Sequence, residues 1–272
     1  MRPEPNADWG QGVTQAVLYN ANMLANLPRP IIFAHRGASS HAPENTMAAF
    51  ELAAKDGAPA IELDAKLTRD GKVVVFHDPT LTRTTNGRGN LADKTADQLR
   101  ALDAGSHFSA QYQGEKIPFL EEVLAALGKK LLINVELRNY WTPRDGLADR
   151  VCELVRRQSV QGNILFSSFY APNLRRAAEL LPDVPRALLT VRGWRGAWAR
   201  SFGFSFGDYM ALHPHVTDVS PQQVQRAHRL GRRVHVWTVN DQSDIARLSE
   251  WGVDGILTDD PKAALRTLGR SL

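Results

Sequence analysis

Two stretches of the chain alternate apolar and polar residues with a period of two. In AIELDAKL, residues 60–67, Ile61, Leu63, Ala65 and Leu67 fall on one face and Glu62, Asp64 and Lys66 on the other. LLINVEL, residues 131–137, repeats the pattern: Leu131, Ile133, Val135 and Leu137 stand opposite Leu132, Asn134 and Glu136, and Arg138 follows. Both read as strands. A strand buried on both faces is normally apolar throughout, and an unpaired buried charge costs several kcal/mol, so these carboxylates need a cation or an opening to water. A surface strand with a solvated face is the plain alternative, and the recurrence of the pattern argues against it.

Other apolar runs extend the picture. Ile31 to Ala34 ends in His35 and opens into Arg36-Gly37; Val73 to Phe76 ends in His77 and opens into Asp78-Pro79. A first helix is expected from Pro43–Thr46 to about Asp56, with Asn45 as its N-cap and Gly57 ending it. Further helices at about 119–127, 147–157 and 172–181 alternate with strands at 164–167, 187–190, 209–212, 234–237 and 255–257. Eight strands are countable from Ile31, and their alternation with helices predicts an α/β fold. Thr258, Asp259 and Pro261 read as the cap of the last helix. Residues 79–118, rich in Thr, Gly, Asp and Asn, are too long for an ordinary connection. In GWRGAWARSFGFSFGD, residues 193–208, two Trp and three Phe are expected to pack rather than to form an apolar rim. Val13, Val17, Ala21 and Leu24 recur at helical spacing, so residues 1–30 read as an N-terminal extension with a short helix.

Chemistry enters with the charged faces. Glu62, Asp64 and Glu136, converging from the ends of two adjacent parallel strands, would make a hard, all-oxygen metal site suited to Mg2+ or Ca2+ rather than to zinc or copper. A lone histidine at a strand end is usually structural. Beside three carboxylates, however, His35 and His77 become an acid-base pair, because imidazole is found in both protonation states near pH 7.

His35-Arg36-Gly37, Pro43-Glu44-Asn45-Thr46, Glu62-Leu63-Asp64, His77-Asp78, Glu136, Trp237-Thr238-Val239-Asn240 and Gly252-Val253-Asp254-Gly255-Ile256 with Thr258-Asp259 together resemble the glycerophosphodiester phosphodiesterase family, in its single-domain cytoplasmic bacterial form. The order and spacing match from Ile31 to the C-terminus. The resemblance implies a metal-dependent TIM (β/α)8 barrel over residues 31–272, with a small insertion at about 79–118. It implies hydrolysis of glycerophosphodiesters to sn-glycerol 3-phosphate and an alcohol. On that reading His35 and His77 are catalytic, Glu62, Asp64 and Glu136 hold one divalent cation, Mg2+ or Ca2+, and Arg36, Glu44, Arg138 and Trp237 contact substrate or phosphate. The family usually has Lys where Arg138 stands. A lysophospholipase D-like enzyme acting on lipid diesters with the same residues is the nearest alternative. More distant ones are a Schiff-base aldolase built on Lys66 and a barrel without activity.

The 272 residues, 43% of them hydrophobic, suit one barrel, which typically takes about 250. A net charge of +4 without a Lys/Arg block favours a small anionic substrate and gives no reason to expect nucleic acid. The single cysteine, Cys152, rules out an internal disulfide and is compatible with a reducing compartment. The polar opening MRPEPNADWG and the lack of any apolar run of about 18 residues point to a cytoplasmic protein without stable membrane insertion. His107, His213 and His215 read as packing or surface residues rather than ligands.

Overall fold

A computed structural model describes residues 27–270. The expected N-terminal helix at residues 13–27 therefore lies almost wholly outside the described residues.

The strands are β1 (Ile31–His35), β2 (Ala60–Leu67), β3 (Val73–Val75), β4 (Leu132–Leu137), β5 (Ile164–Ser168), β6 (Arg186–Leu189), β7 (Ala211–His213), β8 (Arg233–Val236) and β9 (Gly255–Thr258). All but β3 pair in parallel, in chain order, and β9 and β2 both pair with β1, which closes an eight-stranded barrel. The Val73 run is not one of its staves. β3 folds back antiparallel on β2, and it stops at Val75, so His77 sits two residues beyond the strand rather than at its end.

The period-two pattern of β2 is resolved by burial on both sides. Ile61, Leu63, Ala65 and Leu67 face outward into the layer shared with the helices, against residues such as Phe50, Val123 and Val151. Ala60 belongs to a second, inner cluster with Ile31, Phe33, Leu132, Leu165, Ala187, Ala211 and Leu257. These side chains fill the barrel interior, and Glu62 and Asp64 continue the same inward face toward the C-terminal ends of the strands. The charged face is thus an interior face, and the solvated alternative does not hold.

Helix Met47–Lys55 follows β1 and shows where local reading slips by one residue. Its cap is Thr46, whose Oγ1 accepts from Ala49 N, not Asn45. Gly57, at φ 81°, does end it. The last helix, Pro261–Thr267, is capped by Asp260, which frees Asp259 for other contacts. Between β3 and helix Leu120–Leu127 the chain builds a small core of its own from Val74, Phe76, Leu81, Leu91, Leu99, Ala104 and Ile117. The aromatic stretch also departs from expectation: of its five large rings only Phe204 is buried.

Candidate active site

The C-terminal ends of the parallel strands set the site. In register, His35 of β1 stands beside Glu62 of β2, and Asp64 of β2 beside Glu136 of β4. Residues two apart on a strand share a face, so Glu62, Asp64 and Glu136 all point inward. One oxygen from each lies within 4.8 Å of the others, and all three side chains are buried. His35, Arg36, Glu62, His77, Glu136, Arg138 and Trp237 line one cavity of about 160 Å³. Of the sequence-predicted residues, only Asp64 and Glu44 are not on its wall.

Three buried carboxylates repel one another, and the structure answers with two arginines. Arg36 Nε is 3.4 Å from Asp64 Oδ2, and the Arg36 backbone N–H donates to Glu62 at 3.1 Å. Arg138 Nη1 donates to Glu136 at 2.6 Å and its Nε lies 3.6 Å from Asp64 Oδ1. Burial would push the Asp64 carboxyl up, but Arg36 and Arg138 outweigh it and hold the group well below the usual carboxylate range. Glu62 goes the other way: burial, then repulsion from Asp64 and Glu136, pushes it well up. Burial and Asp64 raise Glu136 as well. Asp64 Oδ1 is buried without a hydrogen-bond partner. A hard donor set, two glutamates pushed toward protonation by burial and by repulsion from their neighbours, and a buried Asp64 oxygen without a hydrogen-bond partner together fit a divalent cation.

Each of the two histidines is held through its Nδ1. His35 Nδ1 is 2.6 Å from Asp259 Oδ1, and His77 Nδ1 is 2.6 Å from Asp78 Oδ1. The Nε2 atoms remain for chemistry; that of His35 is 4.0 Å from Glu62. Burial lowers His77 below the ordinary imidazole value, against the pull of Asp64, and so favours its neutral form near pH 7. Asp259 is also bound by Ser39 Oγ at 3.2 Å and Asn240 Nδ2 at 2.6 Å, a network that holds it at about 2 although burial opposes this.

Asp259, expected from the sequence to cap the last helix, instead holds His35, while Asp260 caps that helix. Sequence reading missed Arg83. That guanidinium spans Glu44, at 2.6 and 2.8 Å, and Asp78, at 2.6 Å, and so ties the segment after β3 to the loop after β1. Glu44 accepts from Arg36 Nη1 at 2.9 Å as well. Its side chain is thus held between two arginines, Arg36 and Arg83. Asn45, at φ 58°, turns its amide onto Asp64, donating to Oδ2 at 2.8 Å and accepting from the backbone N–H at 3.3 Å.

Trp237 donates Nε1–H to the His213 carbonyl at 2.9 Å and meets Phe169 edge-on at 5.6 Å, which sets its ring as a wall of the cavity. Tyr140 O–H donates to Glu136 at 2.9 Å. Lys66 does not pair with the acids beside it; it donates to the Arg138 carbonyl at 3.1 Å and faces a separate hollow lined by Pro79, Asn90 and Trp141. His213 and His235 lie deep in the interior, 3.0 Å apart, and His215 caps a short turn, so none of them joins the cluster.

Residues 35–263 match the model of the Glycerophosphoryl diester phosphodiesterase family. A glycerophosphodiester phosphodiesterase of Caldanaerobacter subterraneus is 35% identical over 238 residues, covering 87% of this chain and 97% of that protein. One from Bacillus subtilis is 32% identical over 264 residues, covering 92% and 90%. Among solved structures, an Oleispira antarctica phosphodiesterase in complex with the product sn-glycerol-3-phosphate superposes with a TM-score of 0.80 at 32% identity, covering 91% of this chain and 99% of that one. The glycerophosphodiester phosphodiesterase of Agrobacterium tumefaciens superposes at 0.75 with 28% identity, covering 86% and 98%.

Proposed function

Because this chain belongs to the glycerophosphoryl diester phosphodiesterase family, we propose that it hydrolyses glycerophosphodiesters to sn-glycerol 3-phosphate and an alcohol. The observation that carries this reading is the meeting of two carboxylate-tethered histidines, two arginines and the buried acids Glu62 and Glu136 on one small cavity, with Asp64 clustered beside those acids. The product complex of the similar Oleispira phosphodiesterase supports it.

Glu62, Asp64 and Glu136 would hold one divalent cation, Mg2+ or Ca2+, which when bound supplies positive charge and Lewis acidity at the phosphate. Arg36 and Arg138, fixed by their carboxylate partners, present guanidinium charge to the phosphate oxygens. His35 and His77 move the protons. One Nε2 takes a proton from the attacking oxygen, that of water or of the glycerol 2-hydroxyl, as it bonds to phosphorus, and the other gives a proton to the alcohol oxygen as the old P–O bond breaks. After attack by the glycerol hydroxyl, a water opens the cyclic phosphate by the same proton transfers in reverse. Asp259 and Asp78 hold the two rings in the tautomer that leaves Nε2 facing the cavity. Trp237 offers an apolar wall to the glycerol carbons. Glu44 acts through Arg36 and Arg83 rather than on substrate. We place the protein in the cytoplasm, with the free, buried thiol of Cys152 in support.

Phosphorus NMR of glycerophosphocholine, with protein stripped by chelator and resupplied with Mg2+ or Ca2+, tests the reading. Glycerol 3-phosphate should appear only with the cation, and Glu62→Gln or His35→Ala should abolish it. A folded wild-type protein that leaves the diester intact with every cation overturns the substrate class.

One feature favours lipid diesters as a second reading. A hollow of about 420 Å³ opens beside Arg138 and is lined by Tyr140, Pro143, Phe169, Tyr170 and Val191, a mostly apolar wall suited to a hydrocarbon leaving group. Faster turnover of lysophosphatidylcholine than of glycerophosphocholine in the same assay would select it.

A further inference from the structure

Between β6 and β7 the crossover is irregular. Residues 194–206 pass through a 3-10 turn (Trp194–Gly196), a wide π stretch (Ala199–Gly203) and a last α turn (Phe204–Phe206). Rings recur every four residues, at Trp194, Trp198, Phe202 and Phe206. Through the π and α turns a spacing of four keeps Trp198, Phe202 and Phe206 near one line, with Phe202 and Phe206 stacked at 6.3 Å, and Trp194 stands in the 3-10 turn before them. All four rings face solvent, with Trp194 83%, Trp198 70% and Phe206 85% exposed.

The opposite side of the segment is tied down. Phe204 is buried in the outer core. Arg200 donates to the carbonyls of Val191 at 2.9 Å and Gly193 at 2.8 Å and pairs with Asp218 at 3.1 Å. Arg226 reaches Ser205 Oγ at 3.0 Å. Gly196 sits so close to Val191 that a Cβ would meet its carbonyl oxygen at 2.0 Å. The outward rings are therefore presented by an anchored backbone. Proteins rarely spend large aromatics on water, and a stripe of them marks an interaction surface.

Charge identifies what covers it. Residues 191–208 contain Arg192, Arg195 and Arg200 and one carboxylate, Asp208, which is paired with Arg186 at 2.7 Å. Arg200 is the anchor, while Arg192 and Arg195 are exposed beside the rings. Trp and Phe flanked by arginine suit the boundary of a bilayer, where rings sit among headgroups and acyl chains and guanidinium meets lipid phosphate. Pairing of the patch with itself across a two-fold axis would instead tend to crowd cations against cations. We infer that residues 191–206 dock this protein on the surface of an anionic lipid bilayer.

The position is consistent with that use. The segment leaves from the C-terminal end of β6, the end of the barrel that carries the site, and Val191 borders the apolar hollow beside Arg138. Trp141, 77% exposed in the loop after β4, stands on the same rim. Docking does not rest on the reaction proposed above, and its test reads binding.

Purified protein is sedimented with phosphatidylcholine vesicles, with and without phosphatidylglycerol. Binding should be about tenfold or more stronger with phosphatidylglycerol, should weaken with salt and should shift tryptophan emission to the blue. Trp194→Ser, Trp198→Ser and Phe206→Ser combined should lose about tenfold or more of that binding, while circular dichroism and hydrolysis of glycerophosphocholine stay unchanged. Arg192→Gln with Arg195→Gln should remove the preference for phosphatidylglycerol. Three results overturn the inference: wild-type protein that ignores both vesicles, an aromatic variant that binds undiminished, or a wild-type dimer that the aromatic variant splits into monomers, since a second copy then covers the patch.

Discussion

Asp259 is the residue whose meaning changed most. Read as a helix cap, it is instead the carboxylate on His35 Nδ1 at 2.6 Å, while Asp260 does the capping. A carboxylate in that position fixes the tautomer and the ring plane, and its removal typically costs 10- to 100-fold in activity. Asp259→Asn should therefore lower kcat about 100-fold and leave KM within about twofold, since it touches no substrate; steady-state kinetics decide, and an unchanged kcat would make Asp259 a structural residue only. A second pair of buried imidazoles, His213 and His235, bears on stability. Burial pushes His213 down to about 3, and burial together with His213 holds His235 well below its ordinary 6.5. Both are neutral when folded and take a proton more readily when unfolded, so their contribution is complete above 6.5 and is lost as pH falls from there toward 3. Urea midpoints should drop steadily as pH falls from about 7 to about 4, and His213→Leu with His235→Leu should flatten the drop. An equal slope in the double variant would place the acid sensitivity elsewhere.

The turn between β1 and the helix Met47–Lys55 is the element on which His35 and Arg36 depend. It contains three left-handed residues, Arg36, Gly37 and Asn45, and Ala38 N donates to Ala49 O at 2.9 Å. Gly37, at φ 86°, packs so closely on the helix that a Cβ would stand 2.6 Å from backbone and side-chain carbon of Ala49. Gly71 has a similar φ of 78° but open space around it. Gly71→Ala should cost about 1–2 kcal/mol from the left-handed backbone alone. Gly37→Ala should cost more than that, about 3 kcal/mol, and should reduce activity because the turn carrying His35 and Arg36 must shift. Urea unfolding of the two variants side by side measures the difference, and equal losses would show that the contact with Ala49 relaxes freely. In the same turn Thr46 caps the helix, which leaves Asn45 to bind Asp64 through both of its amide atoms.

Barrel closure brings together groups from across the chain. Glu62 and Asp64 from β2 and Glu136 from β4 are buried against one another, at a cost in repulsion that Arg36 and Arg138 only partly offset. A cation that binds the folded chain and not the unfolded one should stabilise the whole barrel, by about 2.7 kcal/mol at a hundred times its Kd. For a domain of this size that is roughly 5–10 °C in Tm. Scanning fluorimetry after chelation should give the lower Tm and show the rise on adding Mg2+ or Ca2+, and Glu62→Gln should lose most of the rise. A Tm indifferent to both cations in wild-type protein would argue that the acids hold none.

Alternation of period two is a property of the extended backbone, so the strands carrying Glu62, Asp64 and Glu136, and the sharing of one face by the first two, were legible in the order of residues. The barrel, the acid cluster and the two histidines followed from such local patterns together with the family resemblance. Partner choice did not, because it depends on closure. Asp259 reaches His35 across 224 residues only because β9 pairs with β1. Arg83 reaches Glu44 only because the segment after β3 folds back over the loop after β1. Whether an apolar ring is buried is likewise decided by what packs against it: FGFSF, residues 202–206, places Phe204 inward and leaves Phe202 and Phe206 in solvent, a division set by how an irregular helix with a π stretch sits on the barrel.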